Sequence, residues 1–308
     1  MLIFALSRLL RAFITIALVV SFAFVALRLS GDPALEILSS DATPDAIAAF
    51  RSAWGLDDSI GVQFLRYAQA VFAGELGHSM RDGRDVLTVV AERIPVTLAI
   101  TLPALMINIV IGIPAGVVAA LNRNTPLDRI LMAGAVAGFT VPSYVLGFGL
   151  VLIFSVWLGW LPSGGSQSWI NAVLPVFTLG VGGAAILARY TRSAVLEVLT
   201  QSYVRTASAK GVPWRHVVER HVLPNAAIPT VTIIGLMVGH LVAGAVIVES
   251  IFSWPGIGRL LVGSVVSRDL AVVQGILLLV ALTMVIANMA VDLLYGMLDP
   301  RTLSRRHK

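Results

Sequence analysis

Six basic residues, Arg189, Arg192, Arg205, Lys210, Arg215 and Arg220, fall between positions 189 and 229, in a stretch that interrupts long apolar runs on either side. Guanidinium and ammonium groups on one short segment recognise charge. Their target is either an acidic or mixed-charge groove on a partner protein or the phosphates of anionic lipid headgroups. Phosphoryl transfer is outside their reach. The chain has only two lysines, Lys210 and Lys308, and neither stands in a Gly-Lys-Ser/Thr sequence, so no P-loop exists. The absence of cysteine excludes disulfides, thiolate metal sites and cysteine nucleophiles, and no His-Glu-x-x-His zinc motif is present. A serine hydrolase would have to pair Ser163 with His240. Ser163 sits in a turn beside Trp160 and Pro162, while His240 lies deep in an apolar run, which is poor geometry for a dyad. No catalytic, cofactor-binding or metal-binding residue is assigned.

The local pattern gives this segment a shape. Residues 191–210 read as a helix that continues out of the bilayer, and Gly211 breaks it, since glycine adopts positive φ without a Cβ clash. Pro213 suits the first turn of a second short helix over 214–222, and Pro224 is expected to stop it. Two short helices joined at a glycine form a knob that exposes Arg205, Lys210, Arg215 and Arg220.

What holds the knob is a membrane protein. Mean hydropathy is +0.88 and only 13% of residues are charged, against about a quarter in soluble domains. Basic residues flank apolar spans instead of forming a soluble patch, which argues for membrane topology and against nucleic acid. Six apolar segments, at about 9–29, 96–121, 130–158, 172–188, 229–248 and 272–294, each approach the roughly 20 residues that cross hydrocarbon. The expected fold is an all-α polytopic membrane protein with six transmembrane helices. Arg8 and Arg11 precede the first span like the start of a signal peptide, but no clear small-x-small site follows, so an uncleaved span is the better reading. With both termini cytoplasmic, Arg8, Arg11, Arg123, Arg129, the six hairpin residues, Arg301, Arg305, Arg306 and Lys308 lie inside, fourteen of the 22 basic residues. That asymmetry sets the expected orientation. Pro103, Pro114, Pro142 and Pro175, with Gly112, Gly116, Gly134, Gly138, Gly147 and Gly149, describe helices that bend and pack closely.

The stretch 30–93 needs structure of its own outside the bilayer. Gly31-Asp32-Pro33 and Asp41-Ala42-Thr43-Pro44 read as turns, 45–54 as a helix, and 63–72 as a second helix with aromatic contacts from Phe64, Tyr67 and Phe72. It is too poor in apolar residues for an independent core and reads as a lid on the outer face. Polar residues inside spans are candidates for a path through the membrane: Asn108, His240 and Asn288, the last on one face with Asp292. Each has a structural alternative, a histidine or amide satisfied by a neighbouring helix. Glu249 precedes the Phe252-Ser253-Trp254-Pro255-Gly256 turn and is expected to anchor an outer gate helix over 258–267, with Trp254, Pro255 and Gly256 completing the gate.

The spacing of the basic segment resembles a known signature. Permeases of binding-protein-dependent ABC importers carry Glu-Ala-Ala, three residues, Gly, nine residues, Ile, one residue, Leu-Pro. Here Arg205-Thr206-Ala207, Gly211, His221 and Leu223-Pro224 occupy those places, with the glutamate and isoleucine replaced. Tyr203-Val204-Arg205-Thr206-Ala207 with Ala209-Lys210-Gly211 is similar to the variant in the dipeptide, oligopeptide and nickel permease branch. Further blocks agree in order along nearly the whole chain: Gly31-Asp32-Pro33, Gly74-Glu75-Leu76-Gly77-His78-Ser79, Arg93-Ile94-Pro95-Val96-Thr97, Gly112-Ile113-Pro114, Trp160-Leu161-Pro162-Ser163-Gly164-Gly165, Phe252 to Gly258, and Asp299-Pro300-Arg301.

The resemblance implies a type I importer permease fold in a prokaryotic inner membrane. It also implies partnership with a second homologous permease, two cytoplasmic ATPase subunits that bind ATP and magnesium, and an extracytoplasmic solute-binding protein. Cargo in that branch includes dipeptides, longer peptides, nickel and haem. The coupling residues implied are Tyr203, Arg205, Thr206, Ala207, Lys210, Gly211, Leu223 and Pro224. The organisation expected is 1–94 as first helix plus outer segment, 95–300 as a five-helix core with the coupling hairpin at about 189–228, and 301–308 as a basic tail. The alternative is a stand-alone ion-coupled secondary transporter using His240 and Asp292. It calls for an inverted repeat and more intramembrane acids than are found.

Overall fold

A computed structural model describes residues 2–29, 31–38 and 42–298, the side chains of 2–9, 36 and 292–298 excepted. The side chains of Arg8 and Asp292 and the whole of 299–308, including the Asp299-Pro300-Arg301 block and the basic tail, lie outside the described residues. In chain order the helices are α1 (Leu2–Leu29), α2 (Pro33–Ile37), α3 (Pro44–Ala53), α4 (Ile60–Ala73) and α5 (Val86–Ile107). A wide π turn, Asn108–Gly112, joins α5 to α6 (Ile113–Leu121). Then come α7 (Pro126–Thr140), α8 (Ser143–Leu150), which runs into a second wide turn at Val151–Trp157, and α9 (Val173–Leu199). The set closes with α10 (Ser202–Ala209), α11 (Trp214–Val217), a third wide turn at Val218–Val222, α12 (Leu223–Gly239), α13 (Leu241–Ile251), α14 (Ile257–Val266) and α15 (Leu270–Leu298).

Among the described residues, five helices are long and apolar enough to cross a membrane: Leu10–Leu29, Val86–Leu121, Trp169–Leu199, Trp214–Gly239 and Leu270–Val291. A sixth is reached when α7 and the stretch Ser143–Trp157, bent by 96° to each other, are counted together as one broken span. The bend lies at Val141–Pro142, where backbone at Pro142 is extended (φ −58, ψ 141) and the proline has no N–H to continue the ladder. Two other prolines do not break their helices. Pro114 and Pro224 each follow a wide turn by two residues, and Leu223 N–H reaches back to Val218 O, five residues earlier. The extra residue in that turn absorbs the donor that proline lacks and the clash of its ring with the turn before it.

The chain packs as two compact units. The first comprises Met1–Thr97 and Pro255–Val285. Here Thr43 and Ser59 cap α3 and α4 by accepting from Ala46 N–H (3.3 Å) and Val62 N–H (3.4 Å). Phe64 and Tyr67 of α4 pack on Phe24 of α1 at ring separations of 5.3 and 5.5 Å. Phe72, 79% exposed, makes no such ring contact among the described residues. The turn 77–85 is fixed by a buried carboxylate. Asp269, just before α15, accepts from Ser79 Oγ at 2.5 Å and from Met80 N–H at 3.1 Å, and Ser79 Oγ in turn accepts from the Arg81 and Asp82 amides, both at 3.2 Å. Nearby, Arg93 Nη1 donates to Pro255 O (3.0 Å) and Ile257 N–H donates to Thr97 Oγ1 (2.8 Å). The Arg93–Thr97 block thereby clasps the turn that starts α14.

The second unit, Leu98–Trp254 with the helix beyond Ile286, is built around α9. Gly112 and Gly116 lie so close to it that a Cβ would stand 2.8 Å from Ala184 O and 2.5 Å from Ala188 O. The fourth span is not the shortest, as the apolar count predicts; α9 runs on to Leu199. Its polar residues are held by α7. Arg192 donates through Nε and Nη2 to the two carboxylate oxygens of Asp128 at 2.7 and 2.8 Å, and the Arg189 guanidinium stacks 5.5 Å from the centre of the Phe139 ring.

Removing the Asp269 carboxylate leaves buried donors without an acceptor, at roughly 1–3 kcal/mol for each such group. Asp269→Ala is expected to lower the thermal denaturation midpoint and open 77–85 to protease, with Asp269→Asn intermediate. Unchanged cleavage kinetics in Asp269→Ala would count against this role.

Candidate functional site

The basic segment is two elements, not one helix. Residues 191–199 belong to α9, which stops at Thr200; Gln201 is extended (φ −68, ψ 146), and α10 then starts at a new angle. Of the six basic residues, Arg189 and Arg192 are used against α7, which leaves Arg205, Lys210, Arg215 and Arg220 on the hairpin proper. After α10, Gly211 takes φ +77. Gly211 N–H donates to Ser208 O (3.0 Å) and Val212 N–H to Ala207 O (3.3 Å), closing the helix before Pro213 opens α11. Pro224 is not the stop that its residue type predicts, because the wide turn carries α11 directly into α12.

One side of this hairpin is a core. Val204, Val217 and Val222 are buried with Ala194 and Val195 of α9, Ala120 of α6 and Ala226 of α12. Each fully buried valine contributes about 1.5 kcal/mol or more, so the hairpin is anchored to the ends of three long helices. The other side is bare. Tyr203 is 41% and Trp214 54% exposed, and Arg205, Thr206, Lys210 and Pro224 are exposed with them. Arg215 and Glu219 form an i,i+4 pair at 2.8 Å, a contact worth little at such exposure. Among the described residues Arg205 and Lys210 have no ion pair. Thr206 Oγ1 donates to Ser202 O (3.0 Å), so its side chain serves the helix, and Leu223 is only partly exposed. The pattern missed Trp214, an exposed aromatic ring next to the Arg215–Glu219 pair; its place one residue after Pro213 was the available signal.

A cavity of about 420 Å³ lies between α5, α9 and the α12–α13 junction. It brings together two of the three path candidates. Asn108 is 7% exposed, its Oδ1 has no hydrogen-bond partner, and its amide occupies the space that a side chain at Gly183 would need. His240 does not sit inside a continuous fifth span: it is the break between α12 and α13 (φ −93, ψ 0), its N–H shared by Leu236 O and Met237 O. Thr101 and Tyr190 add hydroxyls, and Leu236, Met237 and Leu241 supply apolar wall. Asn288, exposed on α15, does not line this cavity.

The gate candidates fall on both sides of a sharp turn. Glu249 is fully buried in α13, and its carbonyl accepts from Trp254 N–H at 2.8 Å. Trp254 is buried, Phe252 O accepts from Gly165 N–H (2.9 Å), and the Gly164 Cα lies against the same Phe252 backbone. Pro255 and Gly256 lead into the helix expected at 258–267, which is α14.

Comparison with known proteins gives a consistent answer. Residues 112–304 match the family described as binding-protein-dependent transport system inner membrane component, and 1–101 match the N-terminal family of the same membrane components. The glutathione transport system permease protein GsiC of Salmonella paratyphi A is 43% identical over 301 residues, covering 97% of this chain and 98% of that one. GsiC of Escherichia coli K12 is 43% identical over 282 residues, 92% of each chain. A chain of the MetNI methionine ABC transporter, in an inward-facing conformation, superposes with a TM-score of 0.59 at 22% identity, over 69% of this chain and 97% of that one. This last likeness concerns the fold.

A side chain at Gly211 would meet no atom within 4 Å, so substitution there costs backbone strain alone, roughly 1–2 kcal/mol for a left-handed residue. Gly211→Val is expected to raise amide hydrogen exchange over 202–212 severalfold, and Gly211→Asn, which tolerates this conformation, much less. Equal exchange in both variants would contradict the assignment.

Proposed function

This chain belongs to the family of binding-protein-dependent transport system inner membrane components, and on that premise we propose that it forms half of a path for short peptides, worked by ATPase subunits that dock on the 202–224 hairpin. It is a permease subunit of an ATP-driven importer of the inner membrane. The stand-alone, ion-coupled alternative falls with that membership. A second, homologous permease supplies the other half of the path, a solute-binding protein delivers the cargo, and ATP with magnesium is bound and hydrolysed by the ATPase pair. Both termini face the cytoplasm, a reading supported by the distribution of basic residues.

The observation that carries the coupling role is the hairpin's two-sidedness: a buried valine face fastened to α6, α9 and α12, and an exposed face with Arg205, Lys210, Tyr203 and Trp214. Cations flanked by aromatic rings suit an acidic groove. Tyr203, Arg205, Lys210 and Trp214 make the contact; Gly211 sets the angle between the two short helices; Ala207, Leu223 and Pro224 shape its base. On the cargo side, the cavity at Asn108 and His240 offers an amide, an imidazole and two hydroxyls in an apolar wall, groups that bond to peptide amides and carboxylates. The relatives named for glutathione, a tripeptide, favour a short peptide over nickel or haem. Glu249, Trp254, Pro255 and Gly256 form the gate on the binding-protein side.

Reversing two hairpin charges that have no ion pair among the described residues, Arg205→Glu with Lys210→Glu, is expected to cut co-purification of the ATPase subunits and cargo-stimulated ATP hydrolysis about tenfold or more, with the chain's thermal midpoint unchanged. Full ATPase retention and stimulation in that variant would sink the docking role.

A further inference from the structure

Outside the hairpin and the central cavity, a space of about 240 Å³ lies within the first unit, between the end of α1, α4, the 75–80 turn and the start of α15. Three of its lining residues carry four buried polar atoms that have no hydrogen-bond partner: Arg28 Nε and Nη1, Gln63 Oε1 and Gln274 Nε2. Folded chains leave few such atoms unsatisfied, and each destabilises the fold when nothing occupies the space beside it. Gln274 is only 5% exposed. The Gln63 amide nitrogen already donates to Leu56 O (3.2 Å) and Asp58 O (2.8 Å), which fixes its oxygen as the acceptor left over. The Arg28 guanidinium is held over the Phe24 ring at 5.3 Å and carries its charge in this space. The lining therefore offers the Arg28 guanidinium with two free donors, an amide donor, an amide acceptor and the exposed Glu75 carboxylate, beside His78 and the Arg66 guanidinium, which is paired with Asp58.

Its position names the ligand. Arg28 is the penultimate residue of the apolar span Leu10–Leu29, the depth at which hydrocarbon gives way to headgroups. Leu18, Phe22 and Leu29 are exposed along α1, and Val62, Leu65 and Phe72, which share one face of α4, are exposed beside it. An outward apolar face on a helix next to the end of a span lies on lipid. That also accounts for Phe72, which no ring among the described residues covers.

We propose that this space holds the phosphoethanolamine headgroup of a phospholipid, in the leaflet on the side of residues 31–85, its phosphate accepting from Arg28 and Gln274 and its ammonium donating to Gln63 Oε1 and Glu75. The volume admits a headgroup and leaves the acyl chains against α1 and α4. A choline headgroup has no N–H to give, so Gln63 Oε1 would stay unsatisfied with it. Burial pushes the Tyr67 phenol up to about 12, so this lining hydroxyl stays protonated and available to the phosphate.

The test uses the full-length chain in its membrane assembly, purified from membranes containing phosphatidylethanolamine. Native mass spectrometry is expected to find that lipid retained on wild type and retained about tenfold less on Gln274→Leu, an apolar swap of similar volume that removes an orphan donor without unfolding the chain. In nanodiscs, the wild-type thermal midpoint is expected to be higher in phosphatidylethanolamine–phosphatidylglycerol than in phosphatidylcholine–phosphatidylglycerol, and the Gln274→Leu midpoint to be equal in both. Equal retention by wild type and variant, or equal wild-type midpoints in the two lipids, overturns the proposal. A matching rise on adding inorganic phosphate to phosphatidylcholine nanodiscs would assign the space to a soluble anion and overturn it also.

Discussion

The backbone of α6 and the wide turn before it lies directly on the backbone of α9, and much of the second unit depends on that approach. Gly112 and Gly116 permit it; a methyl group at either would stand against Ala184 O or Ala188 O. In a bilayer no hydrophobic force draws helices together, so backbone proximity and van der Waals contact carry the packing. Seated this way, α9 has its N-terminal half beside Asn108 and its far end stapled to α7 through Asp128 and Arg192. The hairpin's valine face closes over that far end. A helix held along its length by contacts of this stiffness moves as a body.

The three wide turns give the opposite property at chosen places. Two of them stand just ahead of Pro114 and Pro224, on helices that border α9, and the third ends α8. Wide turns are the positions where a helix changes its phase at low cost. On the proposed reading, force from the ATPase enters through α10 and α11, passes Val218–Val222 into α12, and reaches His240 at the break above it. The Asn108–Gly112 turn lies across the same cavity. Binding at one end and rearrangement at the other then share a single set of helices.

Much of this was legible in residues. The six apolar runs, the glycine in the hairpin, the two outer helices and the close approaches at Gly112 and Gly116 follow from hydropathy, φ preference and side-chain size. Gly134 and Gly149, expected to pack closely as well, have open space where a Cβ would stand. The spacing of Arg205, Gly211 and Leu223-Pro224 resembles the permease signature without reference to the fold. What residues alone could not settle were choices between satisfied and unsatisfied groups. Arg192 looked like part of a free basic patch until Asp128, 64 positions away, was seen to neutralise it. Pro224 looked like a stop because the wide turn that tolerates it has no residue signature. Asp269 holds the 77–85 turn from 189 positions beyond Met80, a pairing that local pattern does not encode. Phe72 was expected inward because aromatic residues in soluble helices usually are; beside a bilayer an outward phenylalanine is at home.

The central claim is that the hairpin and α9 move as one body when the ATPase turns over. The chain contains no cysteine, so spin labels at Ser208→Cys on α10 and Phe177→Cys on α9, both exposed in this structure, report that distance without a background. In the assembled transporter, with and without ATP under non-hydrolysing conditions, the account predicts the same narrow distance distribution. A shift of several ångströms, or broadening, on adding nucleotide would contradict it.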